Sequence, residues 1–318
     1  MTEMKINQLP VRTWNWLGMN ESLLKDRDLR LLESAAAEKA VILSAKPEEQ
    51  IRRAFCFSCG EGESKSQAVE LTAEAGSALT VWMEISSERD AEGFFALATK
   101  IKAGRLAKVR LVQVQLLGEK YRFLNDIQAE CGEGAGVELI QLFLGGAKTW
   151  AAFHSSLDGA ESSVSAELGY WLRAGQRLDL NYVTLHKEKK TKSQILAKGV
   201  LDEEAFKLFR GTIDFQTGSA GSEGAETEEV LMLGENAVNQ TIPLILCAEE
   251  DVQGSHGATV GAPDEDVLFY LISRGMEKPA AVNLLARSRI EALSAQIGNE
   301  ALEEKVHGYL EEMTQHAG

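Results

Sequence analysis

From Val137 onward the chain offers short apolar runs with no long helical period between them, and that spacing restricts the fold more than any other feature. VELIQLFL, AAFHSSL, AELGYWL, LDLNYVTL, QILAKGVL, FRGTIDF, VLML and IPLILC begin roughly 12 to 16 residues apart, with one wider gap of about 21 before VLML. Runs this short read as strands, and strands so spaced suit either a β-sandwich or a parallel β-helix. A sandwich joins neighbours by hairpins, which commonly carry Asn-Gly or Asp-Gly turns. Asp158-Gly159 is the one such dipeptide here. A parallel β-helix stacks each rung on the last and tolerates irregular turns, so the pattern favours it.

The flanks read differently. In the first fifty residues, Asn20 or Ser22 can cap a segment through Leu23, Leu24, Leu29, Leu31 and Leu32, and an alanine-rich stretch follows to Ala40. From Ala54 the period is about two, in RAFCFSCG, QAVELTAEAG and ALTVWMEISS. The spacing predicts a helix over 91–103, a strand in AKVRLVQVQLLG and a short helix over 121–129. The segment TGSAGSEGAETEE, residues 217–229, fills the wide gap and is too polar to pack a core, so it is expected to be a mobile excursion between rungs. Past Gly261 three helices are expected. Asp264 caps the first, which Gly275 ends; Pro279 opens the second, and the third follows Gly298. In the last of these, Glu300, Glu303, Glu304, Glu311 and Glu312 outnumber Lys305, which suits either a solvated face or an acidic docking surface.

A net charge of −15 on 318 residues disfavours a nucleic-acid partner, whose phosphates need clustered Lys and Arg. No basic segment leads into an apolar run of signal-peptide length, and nowhere do 18 apolar residues run together, so a cytoplasmic protein with no membrane partner is expected. Four cysteines are too few and too scattered for a disulfide framework.

Candidate chemistry is sparse. Cys56-Phe-Ser-Cys59 has the spacing of a redox or zinc pair, but on a strand residues three apart point to opposite faces, so buried or edge thiols are the competing reading. Neither G-x-S-x-G nor G-x-x-x-x-G-K-[ST] occurs, and the chain carries no self-contained enzyme signature. His186 reads as a turn residue on a basic, solvated loop, His154 as a hydrogen-bonded rung residue, and His307 and His316 as helix residues without a constellation. His256 differs, because Ser255, Gly257 and Ala258 leave its imidazole unobstructed. Neutral imidazole is a good ligand for iron or zinc, but one histidine makes no site, so its co-ligands would come from another chain; a turn histidine capping the rung stack is the alternative.

The stretch DVQGSHGATVGAPDEDVLFYLISRGM, residues 251–276, resembles the C-terminal signature of the SufB/SufD family, the scaffold subunits of the SUF iron–sulfur cluster assembly system. The likeness extends through RLDLNYVTLH, AKGVLDEEAFKLFRGTIDF and EEVLMLGENAVNQTIPLIL, covering residues 130–295, and the opening LPVRTWNWLGMNE is similar too. SufB members read E-H-E-A-T where this chain has Ser255-His256-Gly257-Ala258-Thr259, and carry a sulfur-accepting cysteine near the position of Glu228. Lacking both, the chain is most like the SufD branch, although Gly254 stands where many of that branch carry a cysteine.

The resemblance implies a mainly β fold. A right-handed parallel β-helix core (51–262) would follow a helical segment (1–50) within an N-terminal α/β region, and a C-terminal helical domain (263–318) would dock SufC, an ABC-type ATPase. It implies pairing with a SufB-like subunit through the β-helix and no catalysis by the chain alone. His256 would be a metal ligand contributed across the interface to iron or a nascent iron–sulfur cluster, with no cofactor stably bound in the isolated chain. A homodimeric scaffold using Cys247, or a purely structural adaptor, are the alternative expectations.

Overall fold

The protein is described by a computed structural model covering residues 40–173 and 175–315. It is a parallel β-solenoid of about eight turns with two strands per turn. Odd-numbered strands form one sheet: β1 (Val41–Ala45), β3 (Ser64–Ala73), β5 (Glu92–Ala103), β7 (Lys120–Cys131), β9 (Lys148–Leu157), β11 (Arg177–His186), β13 (Phe206–Phe215) and β15 (Val238–Cys247). Even-numbered strands form the other: β2 (Gln50–Cys59), β4 (Ala78–Ser87), β6 (Lys108–Leu116), β8 (Gly136–Phe143), β10 (Ser163–Leu172), β12 (Lys192–Leu201), β14 (Ser222–Met232) and β16 (Val252–Gly261). Each strand pairs in parallel with the strand one coil away, as in Arg122↔Lys148 and Phe206↔Val238. The spacing of the apolar runs is therefore half a coil, since successive runs belong to opposite sheets.

The corners explain why hairpin signatures are missing. Successive corners bond to one another rather than folding back: Leu106 N–H donates to Glu133 O, Gly134 to Ala160 O, Glu161 to Lys189 O and Lys190 to Ala220 O. Leu106, Glu161 and Lys190 adopt positive φ there, so a left-handed residue is needed at a corner but not always a glycine. Asp158-Gly159 joins β9 to β10 in the opposite sheet and is not a hairpin.

Inward-facing residues fill the space between the sheets, with Phe95, Leu97, Ile101, Phe123, Leu139, Leu168, Leu180 and Phe209 all buried. A polar ladder is threaded among them: Asn125 Nδ2 and Gln141 Nε2 each donate to Gln113 Oε1 at 2.7 Å, and the Tyr182 hydroxyl donates to Gln141 Oε1. The outer face of the even sheet forms a second core. Three C-terminal helices follow, α1 (Glu265–Ser273), α2 (Lys278–Ser294) and α3 (Glu300–Gln315), and Trp82, Val112, Ile140, Leu142 and Trp171 pack there against Ala286, Ile290, Leu302 and Val306 of α2 and α3. Trp82 Nε1 donates to Ile297 O at 2.7 Å, tying sheet to helices. Asp264 caps α1 by accepting from the Asp266 and Val267 N–H groups, Pro279 lies in the first turn of α2, and Gly275 and Gly298 adopt positive φ beyond α1 and ahead of α3.

Five expectations need correction. Residues 91–103 and 121–129 are strands β5 and β7, not helices. Both faces of β5 are buried, Phe95 and Leu97 inward and Phe94 and Ala96 outward, so the alternation that marks a half-exposed strand is erased. Residues 41–45, placed in the helical segment, are strand β1, while the rest of that segment up to residue 39 and His316 lie outside the described residues. Most of the expected excursion at 217–229 is strand β14, which buries Ser222, Gly224, Glu226 and Glu228 at alternate positions. His186 is not on a solvated loop. It is fully buried at the end of β11, with Nδ1 2.7 Å from Thr191 Oγ1, Nε2 2.8 Å from Ser193 Oγ and its ring 4.6 Å from that of Phe215.

Burial pushes the His186 pKa down to about 4. The unfolded chain takes up a proton near pH 6.5 while the folded chain resists until about 4, so protonation favours unfolding in that window. The free-energy difference between wild type and the non-titrating His186→Asn variant, from urea denaturation, should be constant above pH 6.5. It should shift against the wild type by up to about 3 kcal/mol as pH falls toward 4.

Candidate functional site at the open end of the solenoid

The last turn, β15 with β16, stacks on no further strand among the described residues, so the interior opens to the surface there. Just inside that end lies a buried charged cluster. Lys207 on β13 is fully buried, and its ammonium pairs with Glu228 of β14 and donates to Thr241 Oγ1 of β15 at 3.1 Å. The Tyr170 hydroxyl donates to Glu228 Oε1 at 3.2 Å, and Thr241 Oγ1 donates to Glu228 Oε2. Glu226 sits two residues before Glu228 on the same face and is 3% exposed. Its Oε2 accepts no hydrogen bond among the described residues.

Two glycines make room for these groups. A Cβ on Gly199 would fall 1.9 Å from the Tyr170 ring, and one on Gly211 would fall 2.1 Å from Glu226 Oε2, so each position is cleared for the side chain lying over it. Burial lowers the Lys207 pKa to about 8 against the pull of Glu228. Burial and the Glu228 carboxylate together raise that of Glu226 to about 7. A second buried ion pair, Asp179 with Arg210, lies on the outer face of the odd sheet and takes no part in this cluster.

His256 lies one strand further out, in register with Glu226, and Ala258 pairs with Glu228. Gly254 faces inward, where a Cβ would lie 3.0 Å from Ile245 Cγ2 and 3.1 Å from Phe215 Cε2, and His256 shares that face two residues on. Unlike the buried carboxylate behind it, the imidazole is exposed. Cys247, at the exposed end of β15, pairs in register with the inward-facing Phe215. The other thiols lie away from this end. Cys56 is exposed and Cys59 buried, on opposite faces of β2, and burial raises the Cys59 pKa to about 11 and that of Cys131 to about 12. His154 is half-buried on β9, and His307 lies between Glu291 and Glu311 on the helices.

Among the described residues no three His, Cys, Asp or Glu side chains come together as a metal-binding group. Among the described residues His256 therefore has no complete coordination sphere. Lys207, Glu226, Glu228 and Tyr170 escape a reading of the sequence because the strand that carries the two glutamates is among the most polar in the chain. The signal available was the alternation Ser222, Gly224, Glu226, Glu228, Val230. On the helical side, α1 buries none of its residues and exposes Val267, Phe269, Tyr270 and Ile272, with Phe269 74% exposed. No helix among the described residues is long and apolar enough to cross a membrane.

The arrangement defines a solenoid with a charged interior opening at one end and an exposed apolar helix, α1, against α2. Residues 56–289 match the SUF system FeS cluster assembly SufBD core domain, and the chain belongs to that family. It is 25% identical over 206 residues to a chloroplastic iron–sulfur cluster assembly SufBD family protein of Arabidopsis thaliana, covering 61% of this chain and 36% of the relative. To the iron–sulfur cluster assembly protein SufD of Bacillus subtilis it is 35% identical over 107 residues, covering 33% and 24%. To SufD of Escherichia coli it is 30% identical over 114 residues, covering 36% and 27%. The matched region spans between about a quarter and just over a third of each relative.

The buried pair lends itself to a mutant cycle. Lys207→Met strands a buried carboxylate and should cost about 3–5 kcal/mol in denaturant unfolding, whereas adding Glu228→Gln to it should restore most of the loss.

Proposed function

We propose that this chain is a SufD-like scaffold subunit of the SUF iron–sulfur cluster assembly system. It pairs with a SufB-like subunit through the terminal β15–β16 turn, and α1 with its neighbouring helices docks a SufC-type ABC ATPase. The observation that carries this reading is the exposed imidazole of His256 on a strand that, among the described residues, is an edge of its sheet and supplies no coordination sphere, at the mouth of a charged interior. An edge strand presents unpaired backbone N–H and C=O groups, and a second solenoid end covers them at little cost in new structure.

In this mechanism the imidazole of His256 donates a nitrogen lone pair to iron that is cargo rather than resident cofactor, and the partner supplies thiolate and carboxylate. Nucleotide-driven movement of the ATPase, transmitted through the helices packed on the even sheet, rearranges the interface and exposes or releases the cluster. The chain catalyses nothing alone, and it works in the cytoplasm. The apolar face of α1 supports the docking role, because Phe269 and Tyr270 are too exposed to serve the fold.

Two substitutions separate the roles. His256→Ala should leave co-purification with both partners intact but abolish the iron–sulfur absorbance of the reconstituted complex. Phe269→Asp should lower recovery of the ATPase at least tenfold while pairing with the SufB-like subunit persists. Normal cluster formation with His256→Ala removes the imidazole from the mechanism, and full ATPase recovery with Phe269→Asp moves docking off α1.

A further inference from the structure

We propose that Glu226 and His256 together form a divalent-cation site at the open end of the solenoid, incomplete in this chain and completed by a partner. This rests on the reading of His256 as a donor to iron and adds a second donor from the same chain. The two residues are a register pair on neighbouring parallel strands, so their side chains leave the sheet on the same face and run side by side. Strands in a sheet lie about 4.8 Å apart, a separation that an imidazole nitrogen and a carboxylate oxygen bridge through one metal ion with bonds of about 2.0–2.2 Å.

Glu226 carries the marks of a group awaiting a cation. Its Oε2 is buried and accepts no hydrogen bond among the described residues. The ammonium of Lys207 makes its hydrogen bonds to Glu228 and Thr241, so its charge reaches Glu226 only at longer range. The absence of a side chain at Gly211 holds open the space in which the carboxylate sits. A buried carboxylate in that condition destabilises the fold, and it is compensated when a cation arrives at the mouth of the pocket. Mixed nitrogen and oxygen donors suit ferrous iron and its first-row neighbours. With only two ligands the isolated chain binds weakly, which makes completion by a partner part of the design.

The test is a Co2+ titration of the full chain under anaerobic conditions, followed by visible d–d absorbance and by X-ray absorption at the cobalt edge. Wild type should take up one Co2+ with an imidazole and a carboxylate in its shell. Glu226→Gln, which preserves volume and removes charge, should weaken binding by about tenfold or more, and His256→Ala should do the same. Glu226→Asp, retaining the carboxylate, should fall between wild type and Glu226→Gln. Wild-type affinity in Glu226→Gln overturns the inference, and if His256→Ala alone weakens binding, the reading of His256 survives without it. Loss with Glu226→Gln but not with His256→Ala overturns both.

Discussion

The parallel backbone ladder is the constraint on which everything else rests. Each strand satisfies its N–H and C=O groups on the strand one coil before and one coil after, so every inward position must be compatible with the residues stacked above and below it. The ladder cannot satisfy itself at its last turn. β15 and β16 leave one edge each without a strand partner among the described residues, and the mainly apolar interior column, with its neutral polar ladder, meets the surface there. A site shared between chains belongs at such an end, because backbone pairing and side-chain chemistry become available on the same surface.

The electrostatics of the interior follow from that geometry. Charges in the middle of a solenoid would have to be paired within it, and the polar ladder of Gln113, Asn125 and Gln141 is neutral. Near the open end the chain places Lys207, Glu226 and Glu228 instead, with Gly199 and Gly211 cleared so that Tyr170 and Glu226 fit. Replacing such a cluster by apolar groups would generally stabilise a fold, and sites that keep one do so for chemistry or for specificity. The buried pair of Lys207 and Glu228 fixes the cluster, leaving the Glu226 carboxylate over Gly211 and His256 exposed one strand further out.

Much of the solenoid was legible in the sequence because its signal is spacing. Runs such as LDLNYVTL and FRGTIDF recur at half-coil intervals whatever their turns, and the capping residues Asp264, Pro279 and Gly298 mark helix boundaries by local chemistry. What misled was burial on both faces. β5 and β7 are buried on both faces through their middles, so period two is lost there and the apolar spacing reads as helical. β14 failed in the opposite direction: its inward residues are serine, glycine and glutamate, and hydrophilicity was mistaken for exposure. His186 was misjudged for a related reason, since the lysines that follow it are solvated while the ring itself turns inward onto Thr191, Ser193 and Phe215. His256 was readable from its small neighbours and its motif, but the carboxylate behind it depends on a register between strands 30 residues apart, which no local pattern reveals.

The central claim is that the ring of His256 lies open in the isolated chain and becomes covered when a second solenoid end docks on β16. Hydrogen–deuterium exchange at the imidazole C2 position, read by mass spectrometry of the peptide containing His256, tests it most directly. Exchange is expected to slow by about tenfold or more from the chain alone to the complex with a SufB-like subunit. Equal rates in the two states would contradict it.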